Sequence, residues 1–155
     1  AIRPPDSHTN GAGEYDFPAE NTNPPEASSQ DDPLSEDNVK CALKSHLRLN
    51  GWEDIRVAWG GNRGVDIVAK RDRERWLIEA KGRGAHPQAR KNYFLAILGQ
   101  ILCTMEAPKA KYSIALPDLP QFRKLWTKLP NEAKARTRIT ALFVDETGEV
   151  TEDSN

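Results

Sequence analysis

Two short segments decide the fold: Gly64-Val65-Asp66-Ile67-Val68-Ala69-Lys70 and Arg75-Trp76-Leu77-Ile78-Glu79-Ala80-Lys81. Both suit strands, and the polar Arg71-Asp72-Arg73-Glu74 between them reads as a turn. An antiparallel hairpin that pairs Lys70 with Arg75 sets Asp66 directly opposite Glu79. Side chains alternate along a strand. One face therefore gathers Val65, Ala80, Ile67, Ile78, Ala69 and Trp76. The other gathers Asp66 and Glu79, with Lys81 two residues along. Only Val68 and Leu77 break the sorting of apolar residues onto the first face. Opposed residues lie roughly 4.5–5.5 Å apart at Cβ, where like charges destabilise. Two carboxylates set so close demand a cation, and a divalent metal satisfies both.

Upstream of the hairpin, Ser35 has the chemistry of an N-cap. Glu36 and Asp37 complement the helix dipole, and Leu34 can staple onto Val39. Val39, Leu43 and Leu47 mark the apolar face of this helix, and Asn50-Gly51 stop it. A strand is expected over Ile55–Trp59, followed by the loop Gly60-Gly61-Asn62-Arg63-Gly64. Downstream, Gly82-Arg83-Gly84-Ala85-His86-Pro87 reads as a loop. A long helix is expected from Gln88 to Glu106, packing through Phe94, Ile97, Leu98, Ile101, Leu102 and Met105. A strand over Lys111–Leu116, a helix over Gln121–Leu129 and a strand over Arg138–Asp145 complete the series. The order α-β-β-β-α-β-α-β predicts an α/β fold with a mixed central β-sheet flanked by helices.

Residues 1–33 are rich in Pro, Asn, Asp, Glu, Ser and Gly and nearly free of aliphatic side chains. Such a segment buries too little to offset its ordering entropy and is expected to be a disordered acidic tail. The folded domain is expected over 34–148, with 149–155 an acidic C-terminal tail. Hydrophobic residues make up 37% of the 155-residue chain, enough for one domain with a sizeable core. No apolar stretch approaches a membrane span and no signal peptide is visible, so membrane partners are not expected. Cys41 and Cys103 sit in helix-like apolar patterns, which suits two buried thiols in a reducing, cytoplasmic setting.

The net charge of −1 hides a strong segregation. Residues 39–144 carry twenty-one basic against nine acidic side chains, a net of +12, while the two ends are acidic. A basic body suits a polyanionic partner such as nucleic acid. Asp66 and Glu79 can chelate Mg²⁺, which favours carboxylate oxygens together with water and phosphate oxygens. Such a metal lowers the pKa of a water and neutralises charge at a scissile phosphate. Lys81, on the same face as Glu79, can orient or help deprotonate the water, or stabilise developing negative charge.

These residues resemble a known superfamily. Gly64-Val65-Asp66-Ile67-Val68-Ala69 followed by Leu77-Ile78-Glu79-Ala80-Lys81 looks like the PD-(D/E)xK nucleases of restriction-endonuclease-like fold. Val65 stands where the superfamily's name places proline. The approach through Gly60 and Gly61 is similar to Mrr-type restriction enzymes and archaeal Holliday-junction resolvases. A looser likeness joins Asp37-Asn38-Val39-Lys40-Cys41-Ala42-Leu43, Gly51-Trp52 and Ala96-Ile97-Leu98-Gly99-Gln100 to XisH-type excision-controlling proteins. The resemblance spans about residues 35–147. It implies a Mg²⁺-dependent deoxyribonuclease hydrolysing phosphodiester bonds of DNA, with Mn²⁺ as a substitute metal. Asp66 and Glu79 would be the metal ligands and Lys81 the catalytic cation. Gln100 matches a glutamine that several members carry in the helix after the ExK strand. Glu36 is a further candidate, since some members place an acidic ligand in the first helix; beside the N-cap it also serves the helix dipole. Many proteins of this fold act as dimers, which implies a homodimer here.

Arg63, Arg83, Arg90 and Lys91 flank these positions and are candidates for phosphate contacts, which position a duplex without reading its sequence. Trp52, Trp59, Trp76 and Trp126 fall in or beside apolar segments and are expected in the core. His46, His86 and the cysteines lack zinc-ligand spacing, and no phosphate-binding glycine loop occurs. A retained fold that binds nucleic acid without cutting it is the competing reading, and the complete Asp, Glu and Lys set speaks against it.

Overall fold

In the computed structural model, which describes residues 32–60 and 64–154, the chain enters its first helix at Ser35. The Ser35 side chain accepts from the Asn38 N–H at the start of α1 (Glu36–Leu49). Leu34 is buried just ahead of it, and Val39, Leu43 and Leu47 are fully buried along its inner face. Asn50 and Gly51 end the helix, Gly51 with a left-handed φ of 76° that costs glycine little. Nearly all of the expected N-terminal tail, residues 1–31, lies outside the described residues. Asp32 belongs to the fold: its carbonyl accepts from Ser35 N–H and from the Asn38 amide.

The hairpin forms in the expected register. β2 (Ile67–Arg71) pairs antiparallel with β3 (Glu74–Ala80), with Lys70 opposite Arg75 and Ile67 opposite Ile78. The loop is two residues long, and Asp72 takes a left-handed φ of 53° in it, which Asp tolerates better than most residues. β1 (Glu53–Val57) pairs antiparallel with β2, and its register shifts between Glu53 and Arg56, where Asp54 has φ 42°. The strand lies two residues earlier than the expected Ile55–Trp59. After β3 the chain crosses through α2 (Pro87–Cys103) to β4 (Lys111–Pro117), which lies parallel to β3. A second crossover runs through α3 (Pro120–Lys128) and α4 (Asn131–Thr137) to β5 (Thr140–Val144), parallel to β4. β6 (Val150–Asp153) returns antiparallel to β5. The result is an open, mixed six-stranded sheet in the order β1-β2-β3-β4-β5-β6 with four helices.

Two cores sandwich this sheet. One joins Val39, Leu43 and Leu47 of α1 to Ile67, Ala69, Trp76, Ile78 and Ala80. The other joins Phe94, Ile97 and Ile101 of α2 and Phe122 and Trp126 of α3 to Val68, Leu77, Ile114 and Phe143. The second core explains the two residues that broke the strand pattern. Val68 and Leu77 face α2, so that side of the hairpin is apolar along its middle, with Lys70 and Arg75 at the turn end and Asp66 and Glu79 at the other. The expected C-terminal tail is corrected: β6 occupies it, because Val150 opposes Val144 and packs on the α1-side core. The expected packing surface of α2 also narrows, since Leu102 is 48% exposed. Cys41 is half-buried and Cys103 exposed, so neither thiol is sealed in the core, and both are free. All four tryptophans are buried. Among the described residues, no helix is long and apolar enough to cross a membrane.

One close approach fixes the loop after β3 against the entrance of α1. A Cβ added at Gly82 would lie 2.6 Å from Glu36 N and 3.2 Å from Leu34 O, both backbone atoms. The neighbouring Arg83 N–H donates to that same Leu34 carbonyl at 2.9 Å. Gly82→Ala is therefore expected to cost about 2–4 kcal/mol by forcing the two segments apart. Thermal melting checks this, and a melting temperature like that of the unaltered chain would refute the tight approach.

Candidate active site

Strand β3 runs parallel to β4 and β5, and Glu79 lies near its carboxyl end, where open α/β sheets place ligands. The register of the hairpin sets Asp66, one residue ahead of β2, against Glu79 and Ala80. Asp66 Oδ2 accepts from the Ala80 N–H at 2.9 Å, and the Asp66 carbonyl accepts from Ala58 N–H at 2.8 Å. The strand end is thus tied on both sides, and the Asp66 side chain is held against β3. Asp66 and Glu79 are both buried.

Burial comes first among the causes that push the Glu79 carboxyl up to about 8, followed by the Asp66 charge and a hydrogen bond to Asp66. Lys81 and Lys40 oppose the shift without cancelling it. Burial and a like charge close by both disfavour the ionised form of a carboxyl, so Glu79 holds its proton more tightly than a free side chain does. The Lys81 ammonium lies 3.8 Å from Glu36 Oε2, which brings the β3 lysine and the helical glutamate into the same cluster.

Lys40 is the residue that sequence reasoning missed. It is fully buried, and its ammonium donates to Glu36 Oε1 at 2.9 Å, to the Ala58 carbonyl at 2.9 Å and pairs with Asp66 Oδ1 at 2.8 Å. Burial alone would lower its pKa. The Asp66 charge and hydrogen bond, then those of Glu36, outweigh burial and hold it above the usual lysine value. A signal existed in the chain: Lys40, Leu43 and Leu47 are spaced i, i+3 and i+7, so the lysine stands in the apolar stripe of α1.

Gln100 lies on the exposed side of α2 and lines an open cavity of about 560 Å³ with Glu79, Gly64, Val65, Ala96 and Gly99. The helix thus brings the glutamine to the approach of the acidic pair. Arg83 and Arg90 line a neighbouring concavity with Glu36. Arg83 pairs with Asp32 at 3.3 Å and with Glu146 at 3.0 Å, while Arg90 Nε donates to the Arg83 carbonyl. A phosphate at Arg83 must therefore compete with two carboxylates. Lys91 is exposed on α2, and Arg63 lies outside the described residues. At the far end of the hairpin, Arg71 and Lys111 line a smaller cavity, where they cover the Trp52 and Trp76 rings and pair with Glu74 and Glu152.

Among the described residues, no group of three or more His, Cys, Asp and Glu side chains is placed to hold a metal ion. The donor set is nonetheless that of a hard cation. The Asp66 and Glu79 carboxyl groups lie within hydrogen-bond reach of each other, and a magnesium ion commonly takes one or two carboxylates, filling its shell with water and phosphate oxygens. Asp66 and Glu79 fit such an ion as a two-carboxylate site.

No protein-family model matches the chain, and no curated protein matches it. Among solved structures it is similar to an XisH family protein from Nostoc punctiforme, with 23% identity, covering 73% of this chain and 95% of that one at a TM-score of 0.49. It is also similar to an fdxN element excision controlling factor protein from Anabaena variabilis, with 22% identity, covering 76% of this chain and 99% of that one at a TM-score of 0.50. The second likeness supports the α/β architecture.

Proposed function

We propose that this protein is a metal-dependent endonuclease that hydrolyses phosphodiester bonds of DNA on a restriction-endonuclease-like fold. The observation that carries the reading is the buried Asp66–Glu79 pair at the end of the hairpin, with Glu79 driven up to about 8 beside the Asp66 charge. A carboxyl pair held this way is unfavourable without a cation, and such perturbed groups cluster at functional sites.

Asp66 and Glu79 would hold Mg²⁺ or Mn²⁺, and the bound metal would activate a water and neutralise charge at the scissile phosphate. The Ala80 N–H fixes the direction of Asp66 Oδ2, so the ligand oxygen is oriented before substrate arrives. Lys81, anchored near Glu36, would stabilise the negative charge that develops on the phosphoryl oxygens or guide the attacking water. Gln100 would support that water from the cavity wall. Arg83, Arg90, Lys91 and Arg63 would contact backbone phosphates, adding affinity that falls as salt rises. A second copy of the chain, forming a homodimer, belongs to the same reading, which follows the superfamily likeness.

One observation favours a second reading, a nucleic-acid-binding or regulatory protein without catalysis. The Lys40 ammonium already pairs with Asp66, so part of the acidic cluster is satisfied without metal. Incubation with supercoiled, linear and branched DNA in Mg²⁺, Mn²⁺ or EDTA separates the two. The first reading predicts cleavage that needs metal and is absent in EDTA. Binding without cleavage on every substrate would select the second.

A further inference from the structure

We propose that Lys40 is a built-in cation that withholds Glu36 and one oxygen of Asp66 from metal, so that the site takes one divalent ion rather than two. The inference rests on the metal site proposed above and concerns how that site is divided.

An ammonium has three N–H donors, and Lys40 aims them at three oxygens 2.8–2.9 Å away: Glu36 Oε1, Asp66 Oδ1 and the Ala58 carbonyl. Two carboxylates and a carbonyl are also the donor set of a hard metal ion. Here the position is filled by charge that the chain itself supplies. The two carboxylate oxygens can lie no farther apart than the sum of their distances to Lys40 Nζ, so Glu36 and Asp66 are close enough to share a cation. They share the lysine. Glu36 has its second oxygen 3.8 Å from Lys81, so both its oxygens face ammonium groups.

The arrangement partitions Asp66. Oδ1 belongs to Lys40 on the α1 side, and Oδ2 faces Ala80 on β3 beside Glu79. A divalent ion between Asp66 and Glu79 leaves the lysine in place. A second one between Asp66 and Glu36 would have to evict a fully buried ammonium from three partners, and a buried charge stripped of its partners is strongly destabilising. Lys40 is accordingly a positioning residue. It fixes which carboxylates are available and which edge of Asp66 they present.

Titration of the full chain with Mn²⁺, followed by calorimetry and by the spectroscopic signal of free Mn²⁺, tests this independently of cleavage. Unaltered protein is expected to bind one ion. Glu36→Gln should keep that stoichiometry with affinity changed by no more than about 2-fold, whereas loss of a true ligand costs about 10–100-fold. Lys40→Met should gain a second ion, or bind the first at least about tenfold tighter through Glu36, and Lys40→Met/Glu36→Gln should lose that gain. Thermal melting monitors folding. Glu36 is partly exposed, so its variant decides the matter should Lys40→Met fail to fold. Two ions in unaltered protein, or a tenfold loss in Glu36→Gln, would overturn the inference and leave the metal site standing. No Mn²⁺ bound by any variant would overturn the metal site itself, and this inference with it.

Discussion

Lys81→Met is expected to lower metal-dependent DNA cleavage by about 10²–10³-fold while leaving DNA affinity within about 3-fold. The lysine lies at the end of β3 beside Glu36 and reaches the cluster that contains Asp66 and Glu79. Its proposed role is felt where charge develops, so kcat should carry the loss and KM should not. Methionine keeps most of the length of the side chain and discards only the charge. Asp66→Asn is expected to lose at least as much activity, with a further cost in stability. Its new amide must face either the Lys40 ammonium or the Ala80 N–H, donor against donor. Cleavage at the unaltered rate in Lys81→Met would remove the lysine from the mechanism. Equal losses in cleavage and DNA binding would reassign it to substrate positioning.

The second large effect is on stability. Without metal, the protein should become less stable as pH rises from about 5 to about 8, and Glu79→Gln should abolish that slope. The folded-state carboxyl titrates near 8, against 4.5 for a free one. Between those values the folded chain holds a proton that the unfolded chain has released. Stability therefore falls through that window and is greatest below it. The shift corresponds to at most about 5 kcal/mol, which relaxation around buried charge reduces to about 2 kcal/mol. His46 works in the opposite direction: burial depresses its pKa, so its contribution grows as pH rises through the histidine range. The difference between unaltered protein and Glu79→Gln cancels His46 and isolates the carboxyl. Melting curves in EDTA across this range make the measurement. Parallel profiles for the two proteins would show that Glu79 is not the titrating group.

The hairpin was legible because alternation, turn polarity and charge parity agree on one register, and that register is the one observed. It carried the Asp66–Glu79 pairing with it. α4 was not legible: Asn131-Glu-Ala-Lys-Ala-Arg-Thr137 has almost no apolar period, and its buried lysine packs over Trp126. β6 was hidden by its acidity, since Glu152 and Asp153 read as solvated tail until β5 supplies the partner strand. Leu102 was overcounted as core because α2 is apolar around most of its circumference, and periodicity then says little about which side is covered. Lys40 escaped for a different reason. A lysine in an apolar stripe is explained only by oxygens contributed from Ala58 and Asp66, which are distant in the chain and converge on folding.

The strictly sequential strand order has a consequence for how the protein is made. Each strand after the first neighbours the one synthesised just before it, so the topology allows the sheet to grow in the order in which a ribosome delivers it. Glu36, Lys40, Asp66, Glu79 and Lys81 all precede α2. The charged cluster can therefore close while the second half of the chain is still emerging, and β4, β5 and β6 are then added to an edge that already holds it.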